Sequence, residues 1–233
     1  MEEILTLFRN RRFSKTIEAC DNLLKKKPLG WDNKYDVLLI KTECQFGIGD
    51  FKSGRETLTT AQKIKKIYNS YTWLGIFALF ENSDYIAADE YLKEALNLTP
   101  YHLEEERGKI LLGLSALKAE VGHYKKSEDY FNLAEDLIPE EMMTVSKFVH
   151  LIHIHDYHNA ILLIKTLPED FVKDENMVYH YSKALRLNGY PKKAFNKIHS
   201  YYETHFPENF LFLEEYFYCS LYCGKIETAQ KIF

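Results

Sequence analysis

The sequence predicts an all-α chain built as an array of helix pairs, on three observations. The chain carries 17 Tyr and 15 Phe against 10 Gly and 6 Pro in 233 residues, so helix breakers are few and bulky packing residues many. The stretch S-D-Y-I-A-A-D-E-Y-L-K-E-A-L-N-L-T-P, Ser83 to Pro100, sets Tyr85, Ala88, Leu92, Ala95, Leu96 and Pro100 at i, i+3, i+7, i+10, i+11 and i+15. That spacing is one face of an amphipathic helix, with small residues where a neighbour comes close and a proline at the stop. Finally, a small residue recurs at Thr16, Gly54, Ala88, Ser127, Ala160, Ala194 and Ala229, with spacings of 38, 34, 39, 33, 34 and 35. A period held over the whole chain is the signature of repeats that stack to share one core.

About 13 helices follow in order. Unit 2–28 pairs a short helix near Ile4–Asn10 with a second from Phe13 through Ile17, Cys20 and Leu24 to a stop at Pro28. Unit 35–66 follows the turn-rich Pro28–Asn33: a helix Tyr35–Phe46, the turn Gly47–Asp50, then Phe51, Gly54, Leu58 and Ala61. Gly54 is costly in a helix and belongs where two backbones approach closely. Unit 69–100 pairs Tyr71–Phe80 with the Ser83–Pro100 stretch, and a longer joint runs from Tyr101 to Arg107. Unit 108–139 pairs Lys109–Val121 with Tyr124, Ser127, Phe131 and Ala134, and unit 142–168 pairs Met142–Ile154 with Tyr157, Ala160 and Ile164, cut short by Pro168. Unit 176–207 pairs Asn176–Asn188 with a helix opened by Pro191, which suits a first helical turn, and ending near His205. Unit 210–233 pairs Phe210–Cys223 with Ile226, Ala229 and Phe233. Ala88, Ala95, Ala134, Ala160 and Ala194 are expected at tight helix contacts. Neither end supplies a polar cap, so the chain reads as a fragment of a longer array.

With 30 basic and 34 acidic residues the formal net charge is −4, which argues against nucleic acid as the main ligand. The start M-E-E-I-L-T-L-F is acidic and lacks the apolar core of a secretory signal, and no run approaches 18 apolar residues. The four cysteines form no CxxC pair, so the reading is a reduced, intracellular compartment, cytoplasmic or nuclear, with no membrane contact.

The Ser83–Pro100 stretch and the period together resemble the tetratricopeptide repeat, a helix–turn–helix unit of about 34 residues. The resemblance covers the chain, strongest at Ala88, Ser127 and Ala194 and weakest in the first unit. It implies a right-handed α-α superhelix whose first helices line a concave groove. Projected onto that pattern, Leu39, Phe46, Trp73, Phe77, Phe80, Leu112, Val145, Val149, Tyr179 and Arg186 point into the groove as partner-binding residues. The stretch W-L-G-I-F-A-L-F also fits the family's core pattern if the next turn is one residue shorter, which would turn Trp73, Ile76, Phe77 and Phe80 inward; both registers stand. The basic–asparagine clamp by which some relatives hold a peptide carboxylate is missing, because Glu43 and Phe77 occupy its places.

Chemistry is weakly signalled. His150, His153, His155 and His158 crowd H-L-I-H-I-H-D-Y-H, yet at 100° per residue His150 and His153 point well away from His155. The period also puts His155–Asp156 in a turn, so no metal is expected. Cys219 and Cys223, at i and i+4 in an aromatic helix, read as small core hydrophobes. There is no G-x-S-x-G, and Gly47-Ile-Gly-Asp50 follows no strand. Glu104–Glu106 and Glu140–Glu141 read as solvated helix starts.

The leading expectation is therefore a non-enzymatic scaffold without a cofactor. It would bind a protein or peptide, an amphipathic helix above all, or a second copy of itself. The resemblance extends to repeat subunits of large intracellular assemblies such as the anaphase-promoting complex. Two alternatives are a peptide sensor of the bacterial quorum-receptor type, with Asn176, His180, Lys183 and Arg186 as its polar cluster, and the targeting arm of an enzyme whose catalytic domain lies beyond residue 233.

Overall fold

The structure is a computed structural model and describes residues 1–26 and 30–232. It is helical throughout, with no strand among the described residues. Contacts divide the chain into two compact units, Met1–Pro139 and Glu140–Phe233. The first holds α1 (Glu2–Arg9), α2 (Phe13–Lys26), α3 (Trp31–Gly47), α4 (Phe51–Ile64), α5 (Tyr68–Asn82), α6 (Tyr85–Leu98), α7 (Glu104–Glu120) and α8 (Tyr124–Glu135). The second holds α9 (Glu140–His153), α10 (Tyr157–Ile164), a single turn α11 (Glu169–Val172), α12 (Glu175–Leu187), α13 (Pro191–His205), α14 (Phe210–Tyr222) and α15 (Ile226–Ile232).

Every small residue of the period is buried where its helix meets a neighbour: Thr16, Gly54, Ala88, Ser127, Ala160, Ala194 and Ala229. Two show why size matters. A Cβ built on Gly54 would lie 2.6 Å from the Phe77 ring, so that ring occupies the space a side chain would need. At Ser127 the contact is polar: its hydroxyl donates to the Ser115 carbonyl at 2.8 Å, and the Ser115 hydroxyl donates to the Ser127 carbonyl at 2.8 Å. Two buried hydroxyls thus satisfy each other across α7 and α8.

A second period emerges from the backbone. Arg11, Gly49, Ser83, Gly122, His155, Gly189 and Gly224 all have positive φ, and each lies five residues before a small residue of the period. In each case the left-handed residue ends the first helix of a pair. The next N–H then reaches back across the helix end: Arg12 to Leu7, Asp50 to Gln45, His123 to Lys118, Asp156 to Leu151, Tyr190 to Leu185 and Lys225 to Ser220. This is the Schellman stop, which satisfies the orphan carbonyls and turns the chain within three residues. The Ser83 turn closes one residue wider, from Asp84 to Ala78. Where the residue after the turn is aspartate, it caps the second helix: Asp50, Asp84 and Asp156 accept from the N–H of Ser53, Ala87 and Asn159.

The boundaries differ most from expectation in three places. Helix α3 starts at Trp31, not Tyr35, so part of the expected turn is helical, with Asp32 in its first turn. Helix α7 starts at Glu104, so most of the joint 101–107 is helix; Glu104, Glu105 and Glu106 sit where carboxylates favour the positive end of the dipole. The single turn α11 lies in the stretch opened by Pro168. The expected stop at Pro28 and the final Phe233 lie outside the described residues.

The first unit's core gathers Ala78, Ala88, Leu92, Ala95, Ile110, Leu114 and Leu117. The second packs Phe148, Ile152, Ala160, Ile164, Val178, Ile198, Phe212, Tyr216 and Cys219 together.

Candidate functional site

In the first unit, α3 carries Leu39, Glu43 and Phe46 at i, i+4 and i+7, and α5 carries Trp73, Phe77 and Phe80 at the same spacing, so each set shares one helix face. The two faces meet at Phe46. Its ring lies 5.1 Å from Phe80, 5.5 Å from Trp73 and 5.9 Å from Phe77, with Phe51 at 5.5 Å. Several of these are edge or tilted contacts, the arrangement that aromatic quadrupoles favour. The cluster is graded from inside to outside. Phe77 is 1% exposed against Gly54, Phe46 and Trp73 are half-buried, and Phe80 is 41% exposed.

Phe77 is therefore a core residue and not a groove residue: the close approach at Gly54 draws its ring inward. Trp73 has one side in ring contact with Phe46 and Phe77 and still reaches water, so the two sequence registers describe two sides of the same indole. Leu39 is half-buried against Tyr35, Leu38 and Ala61. Glu43, between Leu39 and Phe46 on α3, is exposed, yet desolvation pushes its carboxyl up, against the opposing pull of Arg11. Leu112 on α7 is half-buried beside buried Leu111 and Leu114.

In the second unit, Val145, Val149 and Tyr179 are half-buried and pack against the core. Arg186 on α12 does not reach out for a partner. Its Nε and Nη2 donate to Oε1 and Oε2 of Glu215 on α14, both at 2.7 Å. The guanidinium lies 5.2 Å and 5.3 Å from the rings of Tyr218 and Tyr222, and the paired side chains are only 9% and 3% exposed. The Cys219 thiol donates to the same carboxylate at 3.2 Å. Arg186 is thus an internal latch between α12 and α14, a correction to its expected groove role. The Glu215 partner was missed; its one sequence signal is a charge inside F-L-F-L-E-E-Y-F-Y, where a buried carboxylate needs a counterion.

The polar cluster imagined for peptide capture is dispersed by the same contacts. Besides Arg186, Lys183 lies 5.9 Å over the Tyr179 ring. The His180 Nδ1 is buried without a hydrogen-bond partner, and burial, with His153 and Lys183 nearby, pushes its pKa down to about 3. His150 and His153 sit on α9, His155 in the turn bonded to the Tyr157 hydroxyl at 2.7 Å, and His158 on α10. Among the described residues no three His, Cys, Asp or Glu side chains converge as a metal would require. Cys219 is buried and Cys223 half-buried. No helix among the described residues is long and apolar enough to cross a membrane.

No family model and no curated protein matches the sequence. Solved structures do. A tetratricopeptide repeat protein from Parabacteroides merdae aligns over 99% of this chain and 88% of its own, at 14% identity and a TM-score of 0.55. A chain of the Cut9–Hcn1 hetero-tetramer of APC/C aligns over 98% of this chain at 12% identity and a TM-score of 0.55, and this chain spans 43% of its length. The likeness runs over nearly the whole chain and is one of fold: the chain has the fold of the tetratricopeptide repeat proteins.

Proposed function

We propose that this protein is a non-enzymatic interaction scaffold. It holds a partner helix or peptide, or a second copy of itself, on the first-helix face of its repeats, as a subunit of a larger intracellular assembly. The observation that carries this reading is the α3–α5 cluster. Phe46, Trp73 and Phe80 form continuous ring contacts, and Phe80 remains 41% exposed at their outer edge. Large aromatics kept partly in water by a well-packed framework are what partner anchors look like before binding, since such rings dominate interface energetics once covered. Leu112 extends the apolar surface on α7. One of the structural neighbours being a chain of a hetero-tetramer fits the same reading.

The test places a photo-crosslinking phenylalanine at Phe80 of the whole chain, and in a control at Ile86, which is 76% exposed on the second helix α6. Adducts with a protein, or with another copy, should form from position 80 and not 86, and Phe80→Glu or Leu112→Glu should abolish the same association with the fold intact. Equal adducts from both positions would refute the reading.

A further inference from the structure

We propose that the turn end of the second unit is an interaction surface of its own and takes an acidic segment of a partner protein. Apolar side chains of that segment rest on Tyr218, Leu221, Tyr222 and Ile226, and its carboxylates meet Lys192, Lys193 and Lys225. This goes beyond the scaffold reading, whose carrying observation lies in the first unit. Tyr218, Leu221 and Tyr222 stand at i, i+3 and i+4, on one face of α14. Together with Tyr190 before α13 and Ile226 at the start of α15, each is between 39% and 64% exposed.

Contacts bring the two turns side by side. The Arg186 guanidinium, near the end of α12, lies 5.2 Å from the Tyr218 ring and 5.3 Å from the Tyr222 ring. Lys193 on α13 lies 5.1 Å over the Tyr190 ring. Burial pushes the Cys223 thiol up, while Lys192 from α13 and Lys225 from the following turn pull against it, so both ammonium groups lie near the end of α14. Large apolar side chains gathered in water at one end of a domain mark a place that a partner covers.

Charge selects the partner. After the left-handed residue, three other turns carry an aspartate that caps the next helix; here the same places hold Tyr190 and Lys225. Lys192 and Lys193 stand in the first turn of α13, where the helix dipole favours carboxylates over ammonium groups, so folding gains nothing from their charge. Glu215 does not offset them, because Arg186 holds both its oxygens at 2.7 Å. At the turn end the three lysines stand with one exposed acid, Glu227, while exposed Glu214 lies a helical turn farther back on α14. A basic segment would meet like charge. A wholly apolar one would strip water from the ammonium groups and return nothing. Tyrosine suits an acidic, apolar segment, since its ring packs against apolar side chains and its hydroxyl can donate to a carboxylate.

The experiment selects a phage-displayed library of random 15-residue peptides on the immobilised whole chain, and measures enriched sequences as labelled synthetic peptides by fluorescence anisotropy. Expected is a class of peptides with Asp or Glu within one helical turn of Leu, Phe or Trp. Their affinity should fall about tenfold on Tyr222→Ala and at least tenfold when Lys192, Lys193 and Lys225 are all changed to Gln, and should be unmoved by Phe80→Ala. Circular dichroism confirms that the variants fold. Peptides that need Tyr222 but carry no acid, or that ignore the three Lys→Gln changes, would overturn the proposal. So would a selection that yields no peptide sensitive to Tyr222→Ala. Tighter binding of a labelled 15-nucleotide single strand, lost in the same variants, would assign the surface to nucleic acid instead. Self-association lost in Tyr222→Ala would assign it to a second copy, and either result overturns the acidic-segment proposal. The scaffold reading is judged separately, by position 80.

Discussion

Phe46, Phe80 and Arg186 occupy one position of the repeat, eight residues before the small residues Gly54, Ala88 and Ala194. In the first unit this position gives two phenylalanines in ring contact, the first also against Trp73 and the second a ring that water reaches. In the second it gives a guanidinium enclosed by a bidentate carboxylate and two tyrosine rings. The backbone position is shared, but its use differs: one unit leaves apolar surface over, and the other consumes a charge within itself. The repeat fixes which residues point to a given side. Whether they are available is decided by what the next helix supplies: Trp73 and Phe77 from α5, or Glu215 from α14.

Four variants sharpen that contrast. Glu215→Ala leaves Arg186 buried without its counterion, and should cost about 3–5 kcal/mol in chemical denaturation. The double change Arg186→Met with Glu215→Leu should recover most of that loss. A loss below about 1 kcal/mol for Glu215→Ala alone would show that the pair is an ordinary surface bridge. In the first unit, Phe77→Ala should cost about 3–5 kcal/mol, because the ring that fills the space above Gly54 is removed, while Phe80→Ala should cost roughly 1 kcal/mol. Equal losses in the two would mean that the cluster is core throughout.

A further effect is one of pH. His180 is held neutral by burial, with a folded-state pKa below that of the unfolded chain. As pH falls through about 6.5 the unfolded state takes up a proton that the folded state refuses, so stability declines, by on the order of 1 kcal/mol per pH unit, until the folded value is reached. His180→Gln should flatten the melting temperature between pH 6.5 and 5 relative to the unsubstituted chain.

The repeat positions were legible in the sequence because size is a one-residue property: a small side chain every 33 to 39 residues needs no knowledge of its neighbour. Helix starts were less so. At Trp31–Asn33 and Glu104–Glu106 the first turn is rich in polar residues, which serve the helix dipole and carry no apolar period, so they read as loop. The candidate site was legible as a set of faces but not as a set of contacts. Projection onto the repeat pattern turned Phe77 and Arg186 to the groove side; Gly54, 23 residues before the one, and Glu215, 29 residues after the other, took them out of it. Trp73 resisted assignment because a half-buried indole satisfies both patterns.

The left-handed turns have an evolutionary consequence. Gly49, Gly122, Gly189 and Gly224 adopt their positive φ freely, while Arg11, Ser83 and His155 adopt it against the steric preference of an L-residue, about 1–2 kcal/mol each. Changing Ser83 to glycine relieves that strain at a smaller entropic cost, so this turn holds an unused stabilising substitution; Arg11 and His155 have interactions of their own, with Glu43 and Tyr157. Because Ser83 sits in a turn, such a gain adds to effects at sites away from it. A lineage carrying this array can therefore offset a destabilising change elsewhere by a change in a turn, which leaves the helix faces free to drift in sequence while the fold holds.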